Sequence, residues 1–176
     1  MDERKSPRLS GYDYSRGGYY FVTVCTRDRR PYLRKTGYDI QKGDGQACCR
    51  RGAQCAPAPL LPLTRAGEIA EWALLQIPAH YPGVAVDKYV VMPNHIHLIL
   101  TLPCDGGRAL RAPTVSRIIR AWKETVTKTL GTPIWQKSFY DHIIRDENDY
   151  LRIWNYIDTN PLQWAEDEYY TALERG

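Results

Sequence analysis

The sequence contains no run of 18 apolar residues, which excludes a membrane-spanning helix. The first ten residues, MDERKSPRLS, lack the apolar core of a secretory signal, so we expect a cytoplasmic protein. The phosphate-binding motif GxxxxGKS/T is also absent, and no segment repeats. Hydrophobic residues make up 43% of the 176 residues and charged residues 25%, which is typical of one globular domain.

Cysteine is scarce and irregularly spaced. The five cysteines are Cys25, Cys48, Cys49, Cys55 and Cys104. An odd number without a secretory signal indicates reduced thiols. Three of them lie in a Gly-, Pro- and Ala-rich stretch, 37–63, which has no CxxC pair and no nearby histidine, so a zinc site is disfavoured there. We therefore expect a single domain over 1–176 with a flexible insert at 37–63.

Phenylalanine is rare, with 2 residues, whereas there are 13 tyrosines and 5 tryptophans. Aromatic rings with a polar group suit both half-exposed packing and stacking on nucleobases, and composition alone leaves both open. The 24 Lys and Arg residues exceed the 20 Asp and Glu residues, giving a net charge of +4. This excess permits a nucleic-acid partner without requiring one.

Hydrophobic periodicity predicts the element order β-α-β-β-α-β-α. The predicted strands cover 19–27, 84–92, 95–102 and about 139–144. Helices are expected to begin after Thr64, Thr114 and Asp146, and the last to end at Pro161. An antiparallel sheet with the helices packed on one face is the natural α+β arrangement of these elements.

The strand over 95–102 begins with the sequence His95-Ile96-His97. Side chains two residues apart on a strand point to the same face, so the two imidazoles project together. Such a pair is half of a divalent-metal site. A pair of hydrogen-bonded surface histidines explains the pattern equally well.

Tyr156 and Asn160 are four residues apart on the last predicted helix and therefore share one face. Together they offer a phenol nucleophile and a neutral oxygen ligand. Alternatively, Tyr156 is a half-buried packing residue and Asn160 ends the helix before Pro161.

These motifs in combination resemble those of the REP-associated tyrosine transposases, single-tyrosine members of the HUH nucleases. The signature is His–hydrophobic–His after a Met-Pro-Asn turn, with a tyrosine followed four residues later by Asn-Pro. The matching blocks are LSGYDY (9–14), YYFVTVCTRDR (19–29), HYPGVAVDKYVVMPNHIHLIL (80–100), IWQKSFYDHIIRDENDY (134–150) and IWNYIDTNPLQWAEDEYY (153–170).

The resemblance implies a ferredoxin-like fold and a metal-dependent single-strand DNA endonuclease and strand transferase. It implies that His95, His97 and Asn160 bind Mg²⁺ or Mn²⁺, and that Tyr156 is the catalytic nucleophile, forming a 5′-phosphotyrosine. The implied partner is single-stranded or hairpin DNA such as a REP element. The resemblance leaves open whether the chain is a homodimer or a monomer.

DNA binding requires cations and stacking surfaces. The candidate DNA contacts are Arg8, Tyr12, Tyr14, Arg27, Arg29, Arg117, Arg120 and Lys123. Two other functions stay open at this point. One is a DNA-binding protein of transposase descent that no longer cuts, and the other is a metal-binding or redox-thiol protein that uses the cysteines of the insert.

Overall fold

A computed structural model describes residues 17–35, 61–103, 114–161 and 164. The strands in these ranges are β1 (Gly18–Cys25), β2 (Ala85–Val91), β3 (His95–Leu102) and β4 (Tyr140–Ile144). The helices are α1 (Arg65–Leu75), α2 (Ile77–His80), α3 (Val115–Leu130) and α4 (Glu147–Thr159). Residues 37–60 of the predicted insert lie outside the described ranges. No helix in those ranges is long and apolar enough to cross a membrane.

The four strands form one antiparallel sheet in the order β2-β3-β1-β4. The order confirms the predicted ferredoxin-like α+β fold. The even-numbered residues of β1 and β3, such as Val22 and Leu98, point to one face, where α1 and α3 cover them. Trp122 of α3 joins this core and donates its indole N–H to the carbonyl of Ala70 in α1, at 3.1 Å.

The last helix, α4, packs on the opposite face of the sheet. Its Ile153 and Ile157 contact a second apolar cluster that includes Ile99 of β3 and Val90 of β2. The expectation that the helices share one face therefore holds for α1 and α3 and is wrong for α4. The physical reason is that the second face of the sheet has apolar residues of its own, Val90 of β2, Ile99 of β3 and Ile144 of β4, so each face of the sheet needs a cover.

The predicted helix starts are confirmed by their hydrogen bonds. The side chains of Thr64, Thr114 and Asp146 each accept a hydrogen bond from the backbone N–H three residues later. The first helix breaks at Gln76, and α2 follows with Pro78 in its first turn, where a missing N–H costs nothing. The strand predicted to extend to Arg27 ends at Cys25, before a short 3₁₀ turn at Arg27–Arg29.

Lys123 of α3 attaches the segment before β4 to the helix. Its ammonium donates to the carbonyls of Gln136 and Ser138, both at 2.9 Å. Burial lowers the pKa of Lys123 to about 8, although the Cys25 thiol acts to raise it. The side chain thus has a structural use, whatever it contributes to DNA binding.

Replacing Lys123 with methionine should change how stability depends on pH. Between pH ~8 and ~10.4 the unfolded wild-type chain keeps a proton that the folded chain has released, so its free energy of unfolding rises with pH. We expect the wild type to gain stability relative to Lys123→Met across this window in urea unfolding experiments. A difference that stays constant or shrinks with pH contradicts the prediction.

Candidate active site

The two histidines predicted to act together open β3 and face α4. His95 is 0% exposed and His97 is 1% exposed. Their Nε2 atoms lie 2.9 Å apart, and their ring centres are separated by 4.4 Å. The structure therefore places the imidazoles as a buried, convergent pair, and the alternative of two surface histidines is wrong.

Each histidine is held from behind through its Nδ1 atom. The Nδ1 atom of His95 lies 2.8 Å from Oδ1 of Asn94, and the Asn94 amide nitrogen donates to the carbonyl of Arg29 at 3.1 Å. The Nδ1 atom of His97 lies 2.8 Å from the Thr23 hydroxyl, because Thr23 of β1 is opposite His97 in the sheet. Partners of this kind fix the ring orientation of metal-binding histidines.

The partner of His95 also determines where its proton lies. An amide oxygen only accepts, so His95 carries its proton on Nδ1 and presents a lone pair at Nε2. The Thr23 hydroxyl can either donate or accept. It can therefore pair with either neutral tautomer of His97. In one tautomer Nε2 carries the proton and donates it to Nε2 of His95 across 2.9 Å, and in the other Nε2 of His97 presents a lone pair.

Burial, reinforced by the positive charge of Arg29, lowers the pKa of His95 to about 3. The imidazole is consequently neutral at physiological pH. Only a neutral imidazole can bind a metal ion, so this environment favours a ligand role.

Tyr156 of α4 lies beside the pair. Its hydroxyl is 3.3 Å from Nε2 of His97, and the residue as a whole is 36% exposed. The Phe21 ring stacks on His97 and meets the edge of Tyr156, so it sets the position of both rings. The phenol therefore reaches a histidine of its own chain.

Asn160 ends α4 and is 2% exposed. The chain then passes beside His95, since the Trp164 ring lies 5.9 Å from its imidazole. Among the described residues, no group of three or more His, Cys, Asp or Glu side chains could hold a metal ion. Within the described ranges, a third protein ligand to the histidine pair would be a residue of another type, as an Asn160 amide is.

The candidate DNA contacts are spread over the molecule. Arg27 and Arg29 are exposed in the 3₁₀ turn that follows β1, next to Asn94. Arg117 and Arg120 are exposed on α3, across the sheet from the histidines, and Arg120 pairs with Glu124. Arg8, Tyr12 and Tyr14 lie outside the described residues.

Sequence reasoning did not identify Thr23, Asn94 and Phe21 as parts of the site. Asn94 had been interpreted only as a turn residue, which it also is. Thr23 and Phe21 had no signal of their own, because their roles depend on the pairing of β1 with β3.

Known proteins resemble the whole chain. No family model matches it. An uncharacterized protein of Haemophilus influenzae is 30% identical over 190 residues, covering 97% of this chain and 94% of that protein. A REP-associated tyrosine transposase of Escherichia coli K12 is 28% identical, covering 93% of this chain and 83% of that protein. A solved REP-associated tyrosine transposase bound to a REP hairpin superposes with a TM-score of 0.57 and 28% identity, covering 88% of this chain and 74% of that one.

The chain is a homologue of the REP-associated tyrosine transposases. Tyrosine transposases are enzymes, and we accordingly treat the chain as an enzyme. The buried histidine pair and the adjacent phenol form its candidate active site.

Proposed function

We propose that the chain cuts and rejoins single-stranded DNA beside hairpins such as REP elements, with Tyr156 as the nucleophile. The observation that carries the proposal is the meeting of one phenol with two imidazoles. The Tyr156 hydroxyl lies 3.3 Å from Nε2 of His97, which lies 2.9 Å from Nε2 of His95. The hairpin substrate is inferred from the relative that was solved with a REP hairpin.

The residues present fit a divalent metal. Two ligands at right angles around an octahedral ion with bonds of about 2.1 Å are about 3.0 Å apart, and the two Nε2 atoms are 2.9 Å apart. His95, His97 and the Asn160 amide oxygen would hold the ion. When bound, it would neutralise and polarise the scissile phosphate. Imidazoles alone favour zinc or copper, whereas amide and phosphate oxygens, together with the family, point to Mg²⁺ or Mn²⁺.

The protein's own residues account for the covalent step. The Tyr156 oxygen forms a bond to phosphorus, the bond from phosphorus to the 3′ oxygen breaks, and that oxygen takes up a proton to become a free 3′-OH. The resulting 5′-phosphotyrosine conserves the phosphodiester energy, so reversal by a 3′-OH rejoins a strand without ATP. A phenol has a pKa near 10 and must lose its proton as it attacks. Since His97 would use its lone pair as a ligand, the phenol proton passes to solvent at the exposed side of Tyr156.

A cleavage assay tests the proposed function. Hairpin oligonucleotides with single-stranded flanks, copied from the DNA beside the gene, are incubated with the protein and Mg²⁺ or Mn²⁺. We expect a protein–DNA adduct that survives denaturing electrophoresis. Tight binding without any adduct would instead support a DNA-binding protein that no longer cuts.

Replacing Thr23 with valine should weaken metal binding while keeping the shape of the core. The substitution removes the hydroxyl that holds His97, and loss of such a partner costs about 10- to 100-fold in metal affinity. Mn²⁺ titration by calorimetry measures the effect. Thr101→Val is the matched control. Thr101 lies on β3 and faces the same side of the sheet as Thr23 and His97, but its hydroxyl bonds to Asp87. Equal affinity in wild type and Thr23→Val, or equal losses in both variants, contradicts this role.

A further inference from the structure

A cavity of about 550 Å³ opens beside Tyr156, between α4 and strands β1 and β4. Besides His97, two further nitrogen-bearing side chains, His142 and Arg152, line it. The hydroxyl-bearing residues Thr23 and Tyr140 add polar groups to its walls. Among the described residues, no carboxylate lines the cavity. Basic and hydroxyl groups without acids are the lining that suits a phosphodiester.

Arg152 and Tyr156 lie on the same side of α4. They are four residues apart, which corresponds to about one turn and about 6 Å of rise along the helix. This is comparable to the spacing of successive phosphates in an extended single strand. A strand that offers one phosphate to Tyr156 can therefore offer a neighbouring phosphate to Arg152.

Asp149 holds the two basic groups together. Its Oδ2 lies 2.7 Å from Nε2 of His142, and its Oδ1 lies 2.5 Å from Nη2 of Arg152. Although burial acts to raise it, hydrogen bonds from these two residues keep the pKa of Asp149 below its usual value. The carboxylate thus stays ionised and orients both side chains.

The pairing with Asp149 leaves donors for a second anion. A guanidinium carries five N–H groups in a rigid plane, and Arg152 bonds to Asp149 through Nη2. The Arg152 side chain is 71% exposed, so a DNA strand can reach it.

We propose that Arg152, positioned by Asp149 and assisted by His142, binds a phosphodiester next to the one that Tyr156 attacks. This subsite rests on the proposed function and adds a strand-positioning role to it. Binding the neighbouring phosphate keeps the scissile phosphate in line with the phenol. A nucleobase stacked on Tyr140 is the competing occupant of the cavity.

A charge-removal experiment tests the subsite. The cut site of the hairpin oligonucleotide is first mapped from the adduct, and the phosphates on either side of it are then replaced one at a time by neutral methylphosphonates. We expect one replacement to slow wild-type cleavage by about 10- to 100-fold, the cost of a lost charge-assisted hydrogen bond. In Arg152→Gln, cleavage of the unmodified DNA should be slowed to a similar extent. The same methylphosphonate should then slow cleavage by this variant by less than about a further twofold.

Arg65→Gln is the matched control. It removes another exposed arginine, at the start of α1 on the opposite face of the sheet, and should respond to the methylphosphonates as the wild type does. The proposal is overturned if Arg152→Gln loses as much rate as the wild type at every replaced position. It is also overturned if wild type and Arg152→Gln respond alike to every methylphosphonate and differ only when single bases are removed from the DNA. In that case the cavity holds a nucleobase.

Failure of the proposed function gives a different result. In that case the wild-type chain forms no adduct with unmodified DNA. Methylphosphonates placed one at a time along the single-stranded flanks, with binding affinity measured for Tyr156→Phe and for Tyr156→Phe/Arg152→Gln, then test the phosphate contact by itself.

Discussion

Replacing Tyr156 with phenylalanine should abolish the covalent protein–DNA adduct and reduce cleavage by about 10⁴-fold or more. The substitution removes the oxygen that we propose forms the bond to phosphorus and keeps the ring that packs against Phe21 and His97. Hairpin affinity should therefore stay within about threefold of the wild type. Denaturing electrophoresis of labelled DNA measures the adduct, and a gel-shift titration measures the affinity.

Tyr150→Phe is the control for this experiment. Tyr150 lies on the same helix, six residues earlier, and its ring packs against Tyr19 and Trp154. Burial, together with the negative charge of Asp87, raises the pKa of Tyr150, which makes it a poorer nucleophile than an ordinary phenol. The variant should form adduct at the wild-type rate. An adduct that persists in Tyr156→Phe and disappears in Tyr150→Phe would show that Tyr150 is the nucleophile and that the assignment to Tyr156 is wrong.

Replacing His97 with glutamine should slow cleavage by about 10³-fold or more, because a metal ligand contributes several kcal/mol of transition-state stabilisation. Chelation with EDTA should have at least the same effect on the wild type, and added Mn²⁺ should reverse it. Calorimetric titration of His97→Gln with Mn²⁺ should show weaker binding than the wild type, independently of activity.

His80→Gln is the matched control for His97→Gln, since His80 is exposed on α2 and is remote from the histidine pair. This variant should bind Mn²⁺ and cleave as the wild type does. Wild-type cleavage that resists EDTA, or His97→Gln that retains full Mn²⁺ affinity, would show that the pair is not a metal site.

The sequence was sufficient to predict the parts of the site that lie within single elements. Strand alternation placed His95 and His97 on one face, and helical spacing placed Tyr156 and Asn160 on one face. Neither pattern could show that the two faces meet. That meeting depends on α4 packing on the histidine side of the sheet, which the apolar stripe of α4 does not specify because both sheet faces are apolar.

Contacts between distant strands were beyond sequence reasoning for a related reason. Thr23 supports His97 because β1 pairs with β3 in one particular register, 74 residues apart in the chain. A shift of one residue would turn Thr23 to the other face. The subsite at His142, Asp149 and Arg152 likewise combines β4 with the first turns of α4 and has no local signature.

Diffraction from crystals of the protein with Mn²⁺ and a hairpin oligonucleotide tests the central claim most directly. The Mn²⁺ anomalous signal should give a peak within about 2.3 Å of Nε2 of both His95 and His97, with the Tyr156 oxygen facing a phosphate bound to the same ion. A peak elsewhere in the molecule, or a scissile phosphate out of reach of Tyr156 while the crystals remain competent to cleave, would contradict the account.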